Sequence, residues 1–198
     1  MDYKKNEKYI KNKEIIIKYD ETPVKSFDYT HETELSKEFQ NLKTKIATLN
    51  DEQIVVELMK IVGSLGNGHN LIIPTSPKKG ALKKLPVQFY QFNDGLFIVD
   101  AEIGFEKWIG HEVESIENTS TEEAIQKTNT INARDNDMQT LWLGPYYLGL
   151  PDVLKGLGIV ENANQVTITL KDRNGKSQKV IMNPISWNFS GFPKMPKL

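Results

Sequence analysis

The hydrophobic period of this chain changes at His69, and that change constrains the fold more than any other feature. Before Gly63 the apolar residues recur at helical spacing. Leu35, Phe39, Leu42, Ile46 and Leu49 lie 4, 3, 4 and 3 residues apart, which lines one face of a helix. Asn50 and Asp51 make a break and a new cap. Ile54, Val55, Leu58, Met59, Ile61 and Val62 then continue with the same period, and Gly63, Gly66 and Gly68 end it. Residues 31–65 therefore read as a helical hairpin, entered at Thr30 as N-cap with Thr33 and Glu34 behind it. After His69 the pattern alternates, as half-buried strands do. Helices first and hairpins afterwards give an α+β chain.

The β part is legible through its turns. Leu85–Phe92 and Leu96–Asp100 flank Asn93-Asp94-Gly95, and Gln165–Leu170 and Lys179–Met182 flank Asp172-Arg173-Asn174-Gly175. Runs of β-prone residues joined by an Asp-Gly or Asn-Gly turn are antiparallel hairpins. Gly110–Ile116 reads as a further strand. Thr119–Thr130 reads as a short helix, with Thr119 or Ser120 as cap and Glu122 and Glu123 favoured by the helix dipole. Residues 135–158, rich in aromatics and glycine, suggest short helices with tight turns. Residues 69–74 look like a short strand, and 75–84 look like a solvated loop carrying Lys78, Lys79, Lys83 and Lys84. Residues 1–29 form a polar arm with one β-prone patch at Ile15–Tyr19. Residues 184–198, with Pro184, Pro193 and Pro196, read as a tail or linker.

Composition excludes several functions. Lys+Arg is 25 against Asp+Glu 26 in 198 residues, so the chain lacks the basic footprint of a nucleic-acid binder. Cysteine is absent, which removes disulfides, thiolate metal ligands and a cysteine nucleophile. His31, His69 and His111 are far apart and form no His-Glu-x-x-His metal motif. The chain has no phosphate-binding loop and no Gly-x-Ser-x-Gly elbow, and Ser190-Gly191 sits in a proline-rich end that offers no rigid site. No cofactor is expected. The apolar runs are short, such as Ile15-Ile16-Ile17, against the roughly 20 residues of a membrane span, so the chain reads as soluble.

His69 stands out among the histidines. It follows Gly66-Asn67-Gly68, where glycines let the backbone turn sharply out of a helix. An imidazole at such an edge can be aimed, and its ordinary pKa suits general-base work. A structural histidine held in a tight turn fits the same pattern. His31 reads as a capping or surface residue, and His111 as an exposed residue at a strand start.

Residues roughly 28–183 resemble the N-terminal part of the S41 serine peptidases, the tail-specific and tricorn-like processing proteases. Thr30-His31-Glu32 is similar to the His-Pro-Asn segment that opens the first helix in that family. Leu65-Gly66-Asn67-Gly68-His69-Asn70 resembles its Asp-Gly-His-Thr turn. Leu85–Tyr90 with Asp94–Val99 resembles its entry into a PDZ-like domain, and Ile109–Asn118 resembles the PDZ-type Ile-Gly-Asp-x-Val-x-x-Ile-Asn-Gly strand. Asn67 stands where the family has an acidic residue and Asn70 where it has a small hydroxyl residue. No PDZ carboxylate-binding loop is recognisable.

The resemblance implies a helical part at 30–75, a PDZ-like domain at 85–183 with an insertion at about 133–164, and His69 as candidate general base. It also implies a serine carried by a separate C-terminal domain, with a peptide or unfolded protein as substrate. A base without nucleophile and oxyanion hole cannot run acyl transfer. The chain is thus expected to be the substrate-binding and regulatory portion of such a peptidase, inactive alone. The alternative is a stand-alone PDZ-like peptide- or protein-binding module, a pseudo-peptidase. A PDZ-like edge strand can take up an extended peptide through main-chain hydrogen bonds.

Overall fold

The computed structural model describes residues 6–8, 17–19, 29–72 and 82–187. The chain is α+β and divides into two compact units, residues 1–49 and 50–198.

In the first unit β1 (Asn6–Lys8) pairs antiparallel with β2 (Ile17–Tyr19), and α1 spans Tyr29–Lys45. Thr30 therefore lies in the first turn of α1 rather than ahead of it. The first four helical N–H groups all lack intrahelical partners, so a start one or two residues earlier costs little. A single 3₁₀ turn, Ile46–Thr48, follows.

The second unit begins with α2 (Asp51–Gly63). Asn50 caps it reciprocally. The Gln53 amide donates to Asn50 Oδ1 at 2.8 Å, and the Asn50 amide donates to Gln53 Oε1 at 3.0 Å. Asp51 and Glu52 lie at the positive end of the helix dipole. Then come β3 (Leu82–Lys84), β4 (Val87–Phe92), β5 (Gly95–Ala101), β6 (Glu112–Ile116) and β7 (Thr119–Ser120). These are followed by α3 (Thr121–Asn129), α4 (Met138–Leu148), α5 (Pro151–Gly156), β8 (Val166–Lys171), β9 (Ser177–Met182) and β10 (Ile185–Trp187).

The main sheet has the order β4-β5-β6-β8-β9, with β7 alongside β6, and every pairing is antiparallel. Both expected hairpins are present, β4–β5 through Asn93-Asp94 and β8–β9 through Asp172–Gly175. Ser120 is the cap of α3, its hydroxyl accepting from the Glu123 amide at 3.2 Å.

Two stretches expected as loop and linker are strands. Residues 82–84 are strand β3 rather than open loop, and 185–187 are strand β10 rather than linker. The two pair antiparallel, Lys84 opposite Ile185 and Leu82 opposite Trp187. Pro184 precedes β10, a place where its missing N–H costs no ladder bond. Lys83 and Lys84 are not free lysines either. Lys83 bonds Asn164 and Lys84 pairs with Glu102 at 2.6 Å. Lys78, Lys79 and Ser190 lie outside the described residues.

Two apolar clusters hold this unit. The first covers one face of the sheet, with Leu96, Ile98, Val113, Ile116, Val166, Ile168, Leu170 and Met182 packed under Leu85, Ala124, Leu148 and Leu154. Each such side chain contributes about 1.5–3 kcal/mol when fully buried. The second joins three helices: Val56 and Met59 of α2, Leu143 and Tyr147 of α4, Val153 of α5, with Ile131 and Leu150 between them. Burial pushes the Tyr147 phenol up to about 12, as expected of a ring in a dry cluster. Gly156 sits where α5 meets α2. A Cβ there would lie 2.4 Å from the Glu52 carbonyl oxygen. Lys155 pairs with Glu52 at 3.1 Å beside this approach. Among the described residues no helix is long and apolar enough to cross a membrane.

Candidate functional site

The turn that carries His69 starts at the end of α2. The Ser64 hydroxyl donates to the Ile61 carbonyl at 2.7 Å, and the Gly66 amide to the Gly63 carbonyl at 3.2 Å. Gly66 then adopts φ +63°, a left-handed conformation that glycine reaches without penalty, and the helix stops. Residues 67–70 form a tight turn. The Asn70 amide donates to the Asn67 carbonyl at 3.0 Å, and the His69 amide donates to Asn67 Oδ1 at 2.9 Å. Asn67, which stands where the resembled family has an acidic residue, keeps the acceptor oxygen that the turn needs. Residues 69–72 are thus turn and irregular chain, not the short strand the sequence suggested, and residues from 73 onward lie outside the described region.

Gly68 is buried and pinned from far along the chain. Its amide donates to Asp135 Oδ1 at 2.8 Å. Its carbonyl accepts from Gln139 Nε2 at 3.3 Å, and Gln139 Oε1 accepts from the Asp135 amide at 2.6 Å. The Gln139 carboxamide fills the space a side chain at position 68 would need, since a Cβ there would lie 2.2 Å from it. Asn132, 3% exposed, donates through Nδ2 to the Gln139 carbonyl at 3.2 Å and ties down the start of α4. The loop before α4 is further closed by Asn136 Oδ1, which accepts from the Met138 amide at 3.0 Å.

His69 itself is exposed, one residue beyond this clamp. Its imidazole makes no hydrogen bond among the described residues. The other two histidines are placed elsewhere. His31 lies within α1, in the other compact unit. His111 is half-buried rather than exposed. Its ring packs edge-on against Trp108 at 5.4 Å, and its carbonyl accepts from the Ile98 amide at 3.0 Å. Of the described serines, Ser64 bonds the Ile61 carbonyl, Ser115 bonds Thr169 Oγ1 at 2.8 Å and Ser120 caps α3 at the Glu123 amide, while Ser36, Ser177 and Ser186 are exposed on α1, β9 and β10. Among the described residues no three His, Asp or Glu side chains gather as a metal site.

The sequence singles out the His69 turn and gives no sign of the Asp135 and Gln139 bonds to Gly68. Nothing local marks them, because their partner lies 67 and 71 residues away. The aromatic segment 142–150 is mostly core: Leu143, Tyr147, Leu148 and Leu150 are buried, while Met138 and Leu141 of the same helix are exposed.

No family model matches this chain, and no curated protein does. Solved structures of CPAF, a chlamydial tail-specific protease of the S41 type, do share its fold. Mature CPAF complexed with lactacystin superposes with a TM-score of 0.55 at 15% identity, over 79% of this chain and 31% of that one. Mature CPAF gives 0.51 at 14%, over 79% and 30%. A serine-to-alanine mutant of CPAF gives 0.55 at 14%, over 81% and 30%. This chain therefore spans about a third of the length of those proteins. At such identity the likeness is one of fold, an α+β arrangement held in common.

Proposed function

We propose that this chain is the substrate-receiving, base-donating part of an S41-type serine peptidase. In this reading His69 is the general base and residues 85–183 form a PDZ-like domain that receives an extended peptide. One observation carries it: an exposed histidine whose imidazole has no hydrogen-bond partner among the described residues, on a turn whose preceding residue is clamped at both its amide and its carbonyl. An idle, rigidly based imidazole is what a serine supplied from another domain needs in order to lose its proton. The fold shared with CPAF supports the reading. So does the turn sequence Gly66-Asn67-Gly68-His69, which resembles the family's own. Exposed Met138 and Leu141, on the helix that carries Gln139, give an extended peptide an apolar contact.

In this reading the nucleophilic serine and its oxyanion donors come from another domain, so the chain alone has no peptidase activity. Purified chain is expected to leave an unstructured fluorogenic peptide intact, and turnover that disappears in His69→Ala would overturn this. An immunoblot of source cells then decides the larger claim. A native mass well above 22.6 kDa, with cleavage by the intact protein reduced about 10²–10⁴-fold in His69→Ala, is the expected result. A mass near 22.6 kDa sinks the peptidase reading.

A second reading, a stand-alone PDZ-like binding module, has its own support. β9 is the outer strand of the main sheet, with Ser177, Gln178 and Lys179 exposed and Ile181 58% exposed. An edge of this kind can accept a further strand. Binding of a labelled extended peptide that survives His69→Ala and is lost in Ile181→Asp is its signature.

A further inference from the structure

We propose that Gln139 and Asp135 are positioning residues for His69, an assignment that rests on reading His69 as the base. Three hydrogen bonds hold the backbone around His69. The peptide unit before its Cα has both polar groups bonded: the Gly68 carbonyl accepts from Gln139 Nε2, and the His69 amide donates to Asn67 Oδ1. The peptide unit after it has its amide bonded to the Asn67 carbonyl. With both flanking units fixed, the direction of the His69 Cα–Cβ bond is fixed. Two of these three bonds lie within the turn and would form in any chain with this sequence. The third comes from α4, and it is the one that orients the turn relative to the rest of the unit.

The geometry has no slack. The Gly68 amide, Asp135 Oδ1, the Asp135 amide, Gln139 Oε1, Gln139 Nε2 and the Gly68 carbonyl form one closed ring of three hydrogen bonds at 2.8, 2.6 and 3.3 Å. Gln139 supplies an acceptor and a donor at once, which neither Glu nor Ala can do. Asp135 uses one oxygen as acceptor, which Asn reproduces. Gly68 is required because the Gln139 carboxamide occupies the place of its Cβ. A displacement of about 1 Å in a catalytic group costs on the order of 10² in rate, so a base on an unpinned turn would be a poor one.

The test is NMR on the 198-residue chain, reading Gly68 amide exchange and the backbone order parameter of His69. The wild-type order parameter is expected near the rigid value of about 0.85. Gln139→Ala and Asp135→Ala should each raise Gly68 exchange at least tenfold and drop His69 towards about 0.6, the flexible range. Asp135→Asn should restore both. Where Gln139→Ala also loosens the β8–β9 amides, Gln139→Glu decides, since it keeps the Asp135 bond and loses only the donor to Gly68. In the intact peptidase, Gln139→Ala should lower kcat at least tenfold with KM within twofold. The proposal falls if His69 order and Gly68 exchange stay at wild-type values in both Gln139 variants. It falls equally if Asp135→Asn behaves as Asp135→Ala, or if kcat is untouched while His69 loosens. His69→Ala leaves the clamp in place. Full cleavage by the intact His69→Ala protein therefore defeats the base reading, whatever Gly68 exchange shows.

Discussion

The main sheet and the three-helix layer of residues 50–187 are held by contacts of different kind. In the sheet, β8 faces β9 across one turn and β4 faces β5 across another, while β6 joins the two hairpins through β8, with Ser115 opposite Thr169. In the helix layer the bonds join distant segments: Gly68 to Asp135 across 67 residues, Gly68 to Gln139 across 71, and Lys155 to Glu52 across 103. The sheet face is a continuous apolar floor, with Ile168 and Leu170 fully buried. Near the start of α4 the burial includes polar groups, and the Oδ1 atoms of Asn129 and Asn132 have no protein partner among the described residues. A buried acceptor of this kind costs about 1–3 kcal/mol. The comparison teaches that an apolar floor and a polar rim can be held by different physics in one compact unit. Strand pairing and apolar packing secure the floor, and a few long-range polar bonds hold the rim.

Ile168→Ala should have the largest effect. It removes most of a fully buried side chain from the centre of the sheet face, at a cost of about 2–5 kcal/mol. Urea unfolding should show a lower midpoint with an unchanged slope. Gly156→Ala comes next and acts on the other region. Its new Cβ meets the Glu52 carbonyl and Val56 Cγ2, both at 2.4 Å, and backbone cannot swing aside as a side-chain tip can. Overpacking of this kind costs about 1–3 kcal/mol. Hydrogen exchange should rise in α2 and α5 while β8 and β9 stay protected. Equal loss of protection in β8 and β9 would mean that floor and rim open together, and the comparison would fail.

The same division decides what could be read in advance. The β4–β5 and β8–β9 hairpins were legible because alternation and turn chemistry are both local. The Asn50 and Ser120 caps were legible for the same reason. β3 and β10 were not, since each has three residues and a partner about a hundred residues away, and the flanking Lys83, Lys84 and Pro184 point to loop. His69 was legible because three glycines crowd the chain before it. Asp135 and Gln139 were not, because Arg134-Asp135-Asn136-Asp137 reads as a polar surface loop until Gly68 is placed against it. His111 was misread because alternation says nothing of Trp108, three residues earlier, turning back onto its ring.

Asn50→Ala sharpens the comparison at smaller scale, because here the helix layer depends on a local device. The substitution removes the Asn50 half of the capping box and leaves the Gln53 amide without its acceptor. The expected loss is about 1 kcal/mol, and Asn50→Ser should recover most of it. Because α2 ends in the His69 turn, exchange at Gly68 should rise only slightly. A rise as large as that in Gln139→Ala would mean that the turn is held by the helix rather than by α4.

The smallest effect belongs to the turn between β8 and β9. Asp172 Oδ1 accepts from the Asn174 amide at 2.8 Å and from the Lys176 amide at 2.9 Å. The Lys176 bond first, and the Asn174 bonds after it, hold this carboxyl below its ordinary value of 3.8. A carboxyl whose folded pKa is depressed stabilises the fold above its unfolded value, and that contribution disappears as pH falls through the folded value. The loss therefore falls below pH 3.8, and it is confined to an exposed turn, so a melting curve will barely register it. The amide shifts of Asn174 and Lys176 will register it, with one inflection below pH 3.8 that is absent in Asp172→Asn. An inflection at or above 3.8, or one that also moves the amides of Ile168 and Leu170, would mean that the turn charge helps to hold the floor. Absence of both leaves the sheet resting on its apolar face, with the turn setting only the register of its last two strands.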